Sequence, residues 1–170
     1  MDNHVGEMVH KVVYPVQSMA ERPGYELPLL LIGAFRALID ELHDDLAQRG
    51  HPDVRPLHGF ALQAVGTGAT TSELGRRLGV SKQAAAKTVA GLERLGYVAR
   101  EADARDARAQ RIVRTARGDE LLALSAETFA RLRARWRHEL GAVELAGLEA
   151  GLAAMAGPSA KLGDLPGWMR

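Results

Sequence analysis

The chain has 170 residues, 46% of them hydrophobic and 25% charged, with a net charge of +1 and no cysteine. That length suits one domain, or a small domain with long accessory helices. Without cysteine there is no disulfide, thiolate metal site or thiol redox switch. No apolar run approaches the ~20 residues of a membrane span, and residues 1–20 lack the apolar core of a signal peptide, so the cytoplasm is the expected compartment.

Residues 1–26, with Pro15, Pro23 and Gly24 and no helical periodicity, read as an arm. From Pro28 to about Gln48 a helix is expected, because Leu31, Ala34, Phe35, Leu38, Ile39, Leu42 and Leu46 recur at three-and-four spacing. Arg49-Gly50-His51-Pro52 stops it. A short helix from Pro56 to Val65 follows, with Phe60, Ala61, Ala64 and Val65 available for a core. Gly66-Thr67-Gly68-Ala69 reads as a connector: no strand precedes it and no Lys-Ser/Thr pair follows, so it is no phosphate cradle.

Thr70-x-x-Glu73 is a capping-box pattern before Leu74 and Leu78, marking a helix start. Gly79-Val80-Ser81 supplies a turn and a cap, and a second helix runs from Lys82 to Leu95 and stops at Gly96. In it Ala85, Val89, Leu92 and Leu95 form a core stripe, so Lys82, Gln83, Ala84, Ala86, Lys87 and Ala90 face outward. Tyr97 to Arg100 begins a strand, Asp103 to Arg108 is a charged hairpin tip, and Arg111 to Arg114 returns. Helix, turn, helix and hairpin in that order is the layout of a winged helix-turn-helix.

Charge follows the same boundaries. Residues 72–117 hold eleven Lys/Arg against five Asp/Glu, a net of +6, so the rest of the chain carries −5. A basic module on an acidic body is attracted to duplex DNA through its phosphates. Small alanines beside Gln83 and Lys82 permit close approach to base edges in a major groove, where Gln pairs with adenine and Lys with guanine or phosphate. Arginine on a projecting tip, oriented by a neighbouring Asp, suits a narrow minor groove. The candidate DNA contacts are therefore Ser72, Ser81, Lys82, Gln83, Ala84, Ala86, Lys87, Arg105, Asp106, Arg108 and Arg111.

A long helix is expected from Ala116 to about Leu140. Leu122, Phe129, Trp136 and Val143 stand seven apart, with Leu132 on the same side. Such a stripe exceeds what a compact winged helix covers, and packing against another chain would bury it. Gly141 breaks the helix, and a last one spans Val143 to Met155 before an irregular tail from Gly157. Arg131, Arg133, Arg135 and Arg137 spread around the helix, which favours salt pairs with the acidic body over a second DNA surface. His51, Asp53 and His58 fit no metal-site spacing and read as structural or solvent residues. No nucleophile, base and orienter assemble from sequence proximity, and neither an enzyme nor a cofactor is expected.

Leu74 to Ala84, then Leu92-Glu93-Arg94-Leu95-Gly96-Tyr97-Val98, Asp103-x-Arg105-Asp106-x-Arg108 and Thr115-x-x-Gly118 resemble the DNA-binding lobe of the MarR family of winged-helix regulators. About fifty residues carry the resemblance. It implies a mainly α fold with a small β-hairpin wing, and a homodimer joined by the first and last helices. It also implies repression at a palindromic operator and, in many members, release from DNA by a small aromatic effector. Carried onto this chain, it puts Arg108 in the minor groove with Asp106 orienting it, and Ser81 to Lys87 in the major groove. Dimer contacts would include Leu31, Leu38, Leu122, Phe129, Leu132, Trp136 and Val143; ligand-lining residues vary across the family and none is carried over. The implied division is an arm (1–26), a dimerisation helix (27–54), the winged lobe (55–117) and C-terminal dimerisation helices with a tail (118–170). Arg114 departs from the family, which usually has leucine before the Thr-x-x-Gly. Two rivals use the same scaffold: a winged helix serving only protein contact, and a small-molecule enzyme.

Overall fold

In the computed structural model, which describes residues 22–102 and 110–156, six helices surround one two-stranded hairpin. In chain order these are α1 (Glu26–Gln48), α2 (Pro56–Val65), α3 (Thr71–Arg77), α4 (Lys82–Arg94), β1 (Val98–Ala102), β2 (Gln110–Arg114), α5 (Ala116–Leu140) and α6 (Ala142–Ala156). The strands are antiparallel, with Val98 opposite Arg114 and Ala102 opposite Gln110. The fold is mainly helical with a small β-hairpin wing.

One apolar core holds the lobe to the long helices. Ile39, Leu42 and Leu46 of α1 meet Ala61, Leu62 and Val65 of α2, Leu74 of α3, Val89 and Leu92 of α4, Ile112 of β2 and Leu121 of α5. In α4 the buried residues follow the expected stripe, whereas in α2 Leu62 joins Ala61 and Val65 in the core and the expected Phe60 and Ala64 are only half-buried. In α1 only the second half of its stripe is buried; Leu31 and Phe35 remain exposed.

Residues 66–69 do more than connect. Ala69 N–H donates to the Ile112 carbonyl at 3.0 Å and Ile112 N–H donates back at 2.8 Å, so Ala69 forms a one-residue third strand beside the wing. Arg111, expected to reach DNA, instead donates from Nη2 to the Gly68 carbonyl at 2.8 Å and is half-buried. Its guanidinium occupies the space a side chain at position 68 would need, since a Cβ there would lie 2.9 Å from Nη2. The cause is contact between residues 43 apart in sequence, which strand periodicity does not report.

A buried polar knot joins the end of α1 to the lobe. His51 Nδ1 hydrogen-bonds Tyr97 Oη at 2.9 Å, with the rings stacked. Arg117 lies over the Tyr97 ring, 5.2 Å from its centroid, and donates to the Gly50 carbonyl. Burial, then the Arg117 charge, pushes the His51 pKa down; the Glu120 carboxylate opposes them. His51 thus has a structural role, and among the described residues no group of three His, Asp or Glu is placed to hold a metal.

Three of the α5 arginines expected to form salt pairs, Arg131, Arg133 and Arg135, meet acids. Arg135 meets Glu41 of α1 with two bonds of 2.5 and 2.6 Å, Arg131 meets Asp45, and Arg133 meets Glu149 of α6 with two more. Leu132 does not join an outward stripe. It is buried within the single chain, on the face that also carries Leu121 and Thr128. The outward stripe is one residue further round: Leu122 and Trp136 are half-buried, while Phe129 and Val143 are exposed. Seven-residue steps drift by roughly 20° on a straight helix, so two neighbouring stripes on α5 look alike in sequence and packing separates them. Among the described residues no helix is long and apolar enough to cross a membrane.

Candidate nucleic-acid interface

The interface is assembled from the start of α3 to the end of β2. Thr70 caps α3: its Oγ1 accepts from Glu73 N–H at 3.2 Å, and its own N–H donates to Glu73 Oε2 at 2.7 Å. That backbone donor is the main reason the Glu73 carboxyl sits below its usual pKa. Ser72 is exposed in the first turn. Arg76, not singled out by sequence reasoning, is exposed near the helix end; its position in a short helix offered no periodicity to mark it.

The turn into α4 is tight because position 75 is glycine. A Cβ there would come within 3.0 Å of the Val80 carbonyl and 3.6 Å of the Ala85 methyl. Ser81 Oγ then accepts from Ala84 N–H at 3.1 Å, starting α4. The Ser81 hydroxyl is thereby committed to the cap, a positioning role.

Ala85, Val89 and Leu92 turn α4 inward, and Ser81, Lys82, Gln83, Ala84, Lys87 and Ala90 are exposed. Ala86 departs from expectation. It is half-buried, since it lies on the flank one residue past Ala85 and three before Val89. No acid occurs from Ser81 to Leu92. The exposed N-terminal half of α4 therefore offers two ammonium groups, an amide and a methyl-sized surface, with no carboxylate in that half of the helix.

The wing is anchored at its base. Arg114 Nε donates to Asp119 Oδ1 at 2.6 Å and Nη1 reaches the Leu62 carbonyl at 3.4 Å. Where leucine was expected, an arginine thus ties β2 to α5 and α2 by polar contacts while staying half-buried. Arg105, Asp106 and Arg108 lie outside the described residues.

Behind this face, α1, α2 and α5 enclose an apolar cavity of about 100 Å³. Leu42, Phe60, Leu121, Leu122 and Phe129 line it, with His43, Arg55 and Ser125 as polar members. Two of the expected dimer contacts, Leu122 and Phe129, thus face a hollow inside one chain.

Comparison with known proteins agrees with this geometry. Residues 60–109 match the model of the MarR family. No curated protein matches the chain in sequence. Among solved structures, a MarR family protein from Bacillus stearothermophilus is 24% identical, with a TM-score of 0.61 over 79% of this chain and 94% of that one. FabT of Streptococcus pneumoniae, solved in complex with DNA, is 18% identical, with a TM-score of 0.63 over 77% of this chain and 93% of that one. A MepR mutant of S. aureus, bound to an oligodeoxyribonucleotide, is 21% identical, with a TM-score of 0.54 over 77% and 94%. The winged lobe thus matches the MarR family model over residues 60–109, and the fold, flanking helices included, is similar to that of a MarR family protein.

Proposed function

We propose that this chain is a sequence-specific DNA-binding regulator, cytoplasmic and homodimeric, repressing at a palindromic operator and released by a small aromatic effector. The observation that carries DNA binding is the acid-free, exposed half of α4, with Lys82, Gln83, Ala84 and Lys87 on a helix held by its cap and core stripe. Such a helix end fits a major groove. Arg108, oriented by Asp106, would take the adjacent minor groove. The fold relatives solved with DNA support the same use of the scaffold.

Dimerisation is supported by apolar surface that one chain leaves uncovered. Leu29, Leu30, Leu31 and Ile32 are consecutive, so they face every side of α1, and all are exposed. In α6 only Leu145 is buried, while Val143, Leu148, Leu152 and Met155 are exposed. Burying these faces on a second copy would place two α4 helices in successive major grooves, ~34–36 Å apart. The cavity between α1, α2 and α5 is the effector site of this reading; it is apolar, and its walls belong to both the long helices and the lobe.

Selecting bound fragments from the source genome and measuring their affinity by fluorescence anisotropy tests this. A recurring palindrome is expected, bound more weakly as salt rises. Arg108→Ala should cost about 1–3 kcal/mol of binding, as should Gln83→Ala at an adenine it reads. Uniform affinity for all fragments would overturn the reading.

A further inference from the structure

A second, polar groove lies on the other side of α2. Its walls are Pro52 to Arg55 with Leu57 and His58 on one side, and the flank of α4 from Lys87 to Arg94 with Leu95 on the other, and its volume is about 630 Å³. Arg55 and Val54 also belong to the apolar cavity, so they form the partition between the two spaces.

Lys87, Gly91 and Arg94 follow at four and three, on one face of α4. Opposite them stand Arg55 and His58. The missing side chain of Gly91 opens a notch: the point its Cβ would occupy is 4.0 Å from both Arg94 Nη2 and His58 Nε2. His58 Nδ1 accepts from Arg55 N–H at 3.3 Å, which leaves Nε2 to carry the proton as a donor. Among the described residues several arginines elsewhere pair with a carboxylate, as Arg49, Arg100, Arg114, Arg131, Arg133 and Arg135 do. Among the described residues Arg55, Lys87 and Arg94 meet no carboxylate within ion-pair distance, and Asp53 is the one acid lining the groove.

We propose that this groove is a phosphate-binding site, in which Arg94 and the His58 Nε2–H converge on one phosphate group and Arg55 and Lys87 balance its charge. Donors from two walls around a vacant notch suit a tetrahedral oxyanion with acceptors on every side. Among the described residues the walls hold no Phe, Tyr or Trp, the aromatic surface an apolar effector needs. The phosphate belongs either to a small phosphorylated molecule or to the DNA strand beside α4. The site's anion chemistry stands apart from the regulator reading; only its DNA arm rests on it.

Calorimetric titration of the full chain with pyrophosphate, without DNA, separates these sources from one another. Saturable binding weakened at least tenfold by Arg94→Gln and by Gly91→Met, which fills the notch, establishes the free-anion form. For the DNA form, pyrophosphate leaves no saturable heat, and Arg94→Gln lowers the slope of log affinity against log salt by about one. Circular dichroism matched to the parent chain shows that the variants fold. Pyrophosphate binding insensitive to both substitutions, or no binding together with an unchanged salt slope, overturns the proposal. A chain that binds no DNA at all still gives the pyrophosphate result, so the two readings fail separately.

Discussion

At Gly118 three elements meet at the distance of a backbone. The Thr115 hydroxyl donates to the Gly96 carbonyl at 2.6 Å and accepts from Gly118 N–H at 3.2 Å, capping α5. A Cβ at 118 would overlap the Tyr97 carbonyl oxygen, so Gly118→Ala should destabilise the fold by about 1–3 kcal/mol, as overpacking does. Thermal unfolding reads that loss, and an unchanged midpoint would refute the contact. Histidines set a second residue-scale expectation. Burial is the first cause lowering the pKa of His43, His51 and His58. Unfolded histidines take up protons below about pH 6.5, while these three resist until lower pH. The unfolded state then binds more protons, so stability holds above that value and falls as pH drops beneath it. Denaturant midpoints at pH 7.5 and 5.5 should show the fall, and His51→Gln should make it shallower. Thr115-x-x-Gly118 was legible in sequence as a motif, as were the exposed Lys82 and Gln83. Arg111 was not, because its acceptor on Gly68 becomes a neighbour only after the chain folds.

At the scale of elements, α1 and α5 are joined by polar contacts along their outer edge. Asp45 is their centre: Oδ2 accepts from the Thr128 hydroxyl at 2.5 Å, and Oδ1 from Arg131 at 2.9 Å. The Thr128 bond is the foremost cause holding the Asp45 carboxyl below its usual pKa. Thr128 is buried, unlike the arginines around it, so Thr128→Val should cost about 1 kcal/mol. Removing an exposed pair such as Arg133 with Glu149 should change little, because solvent and salt screen it. Chemical denaturation of both variants checks the contrast; equal losses would contradict it. Element boundaries were legible because Thr70, Ser81 and Thr115 cap helices through local hydrogen bonds. Which stripe of α5 turns inward was not. Leu121, Thr128 and Leu132 win that face through contacts with α1 and its neighbours, a choice made by tertiary packing.

For the whole molecule, charge and apolar surface are divided between parts. The stretch from 72 to 117 carries +6, and the remaining chain −5. The uncovered apolar groups collect at the start of α1 and along α6, with Val143 80% and Met155 85% exposed. Placing a charge there, as in Val143→Glu with Leu148→Glu, should yield a folded monomer by sedimentation, with weaker operator binding. A dimer unchanged by both substitutions would move the interface elsewhere. The junction between parts is stiff in a particular way. The Tyr97 carbonyl rests against Gly118, and Arg117 lies over the Tyr97 ring, so the first turn of α5 is packed against the link between α4 and β1. Helix α5 spans 25 residues, roughly 37 Å at the usual rise. Tilting such a rod by about 5° about its far end displaces the near end by roughly 3 Å, comparable to one base-pair step along a duplex. If α5 tilts, the glycine contact would act as a coupling pin, and the length of α5 would turn a small rotation into a change of register.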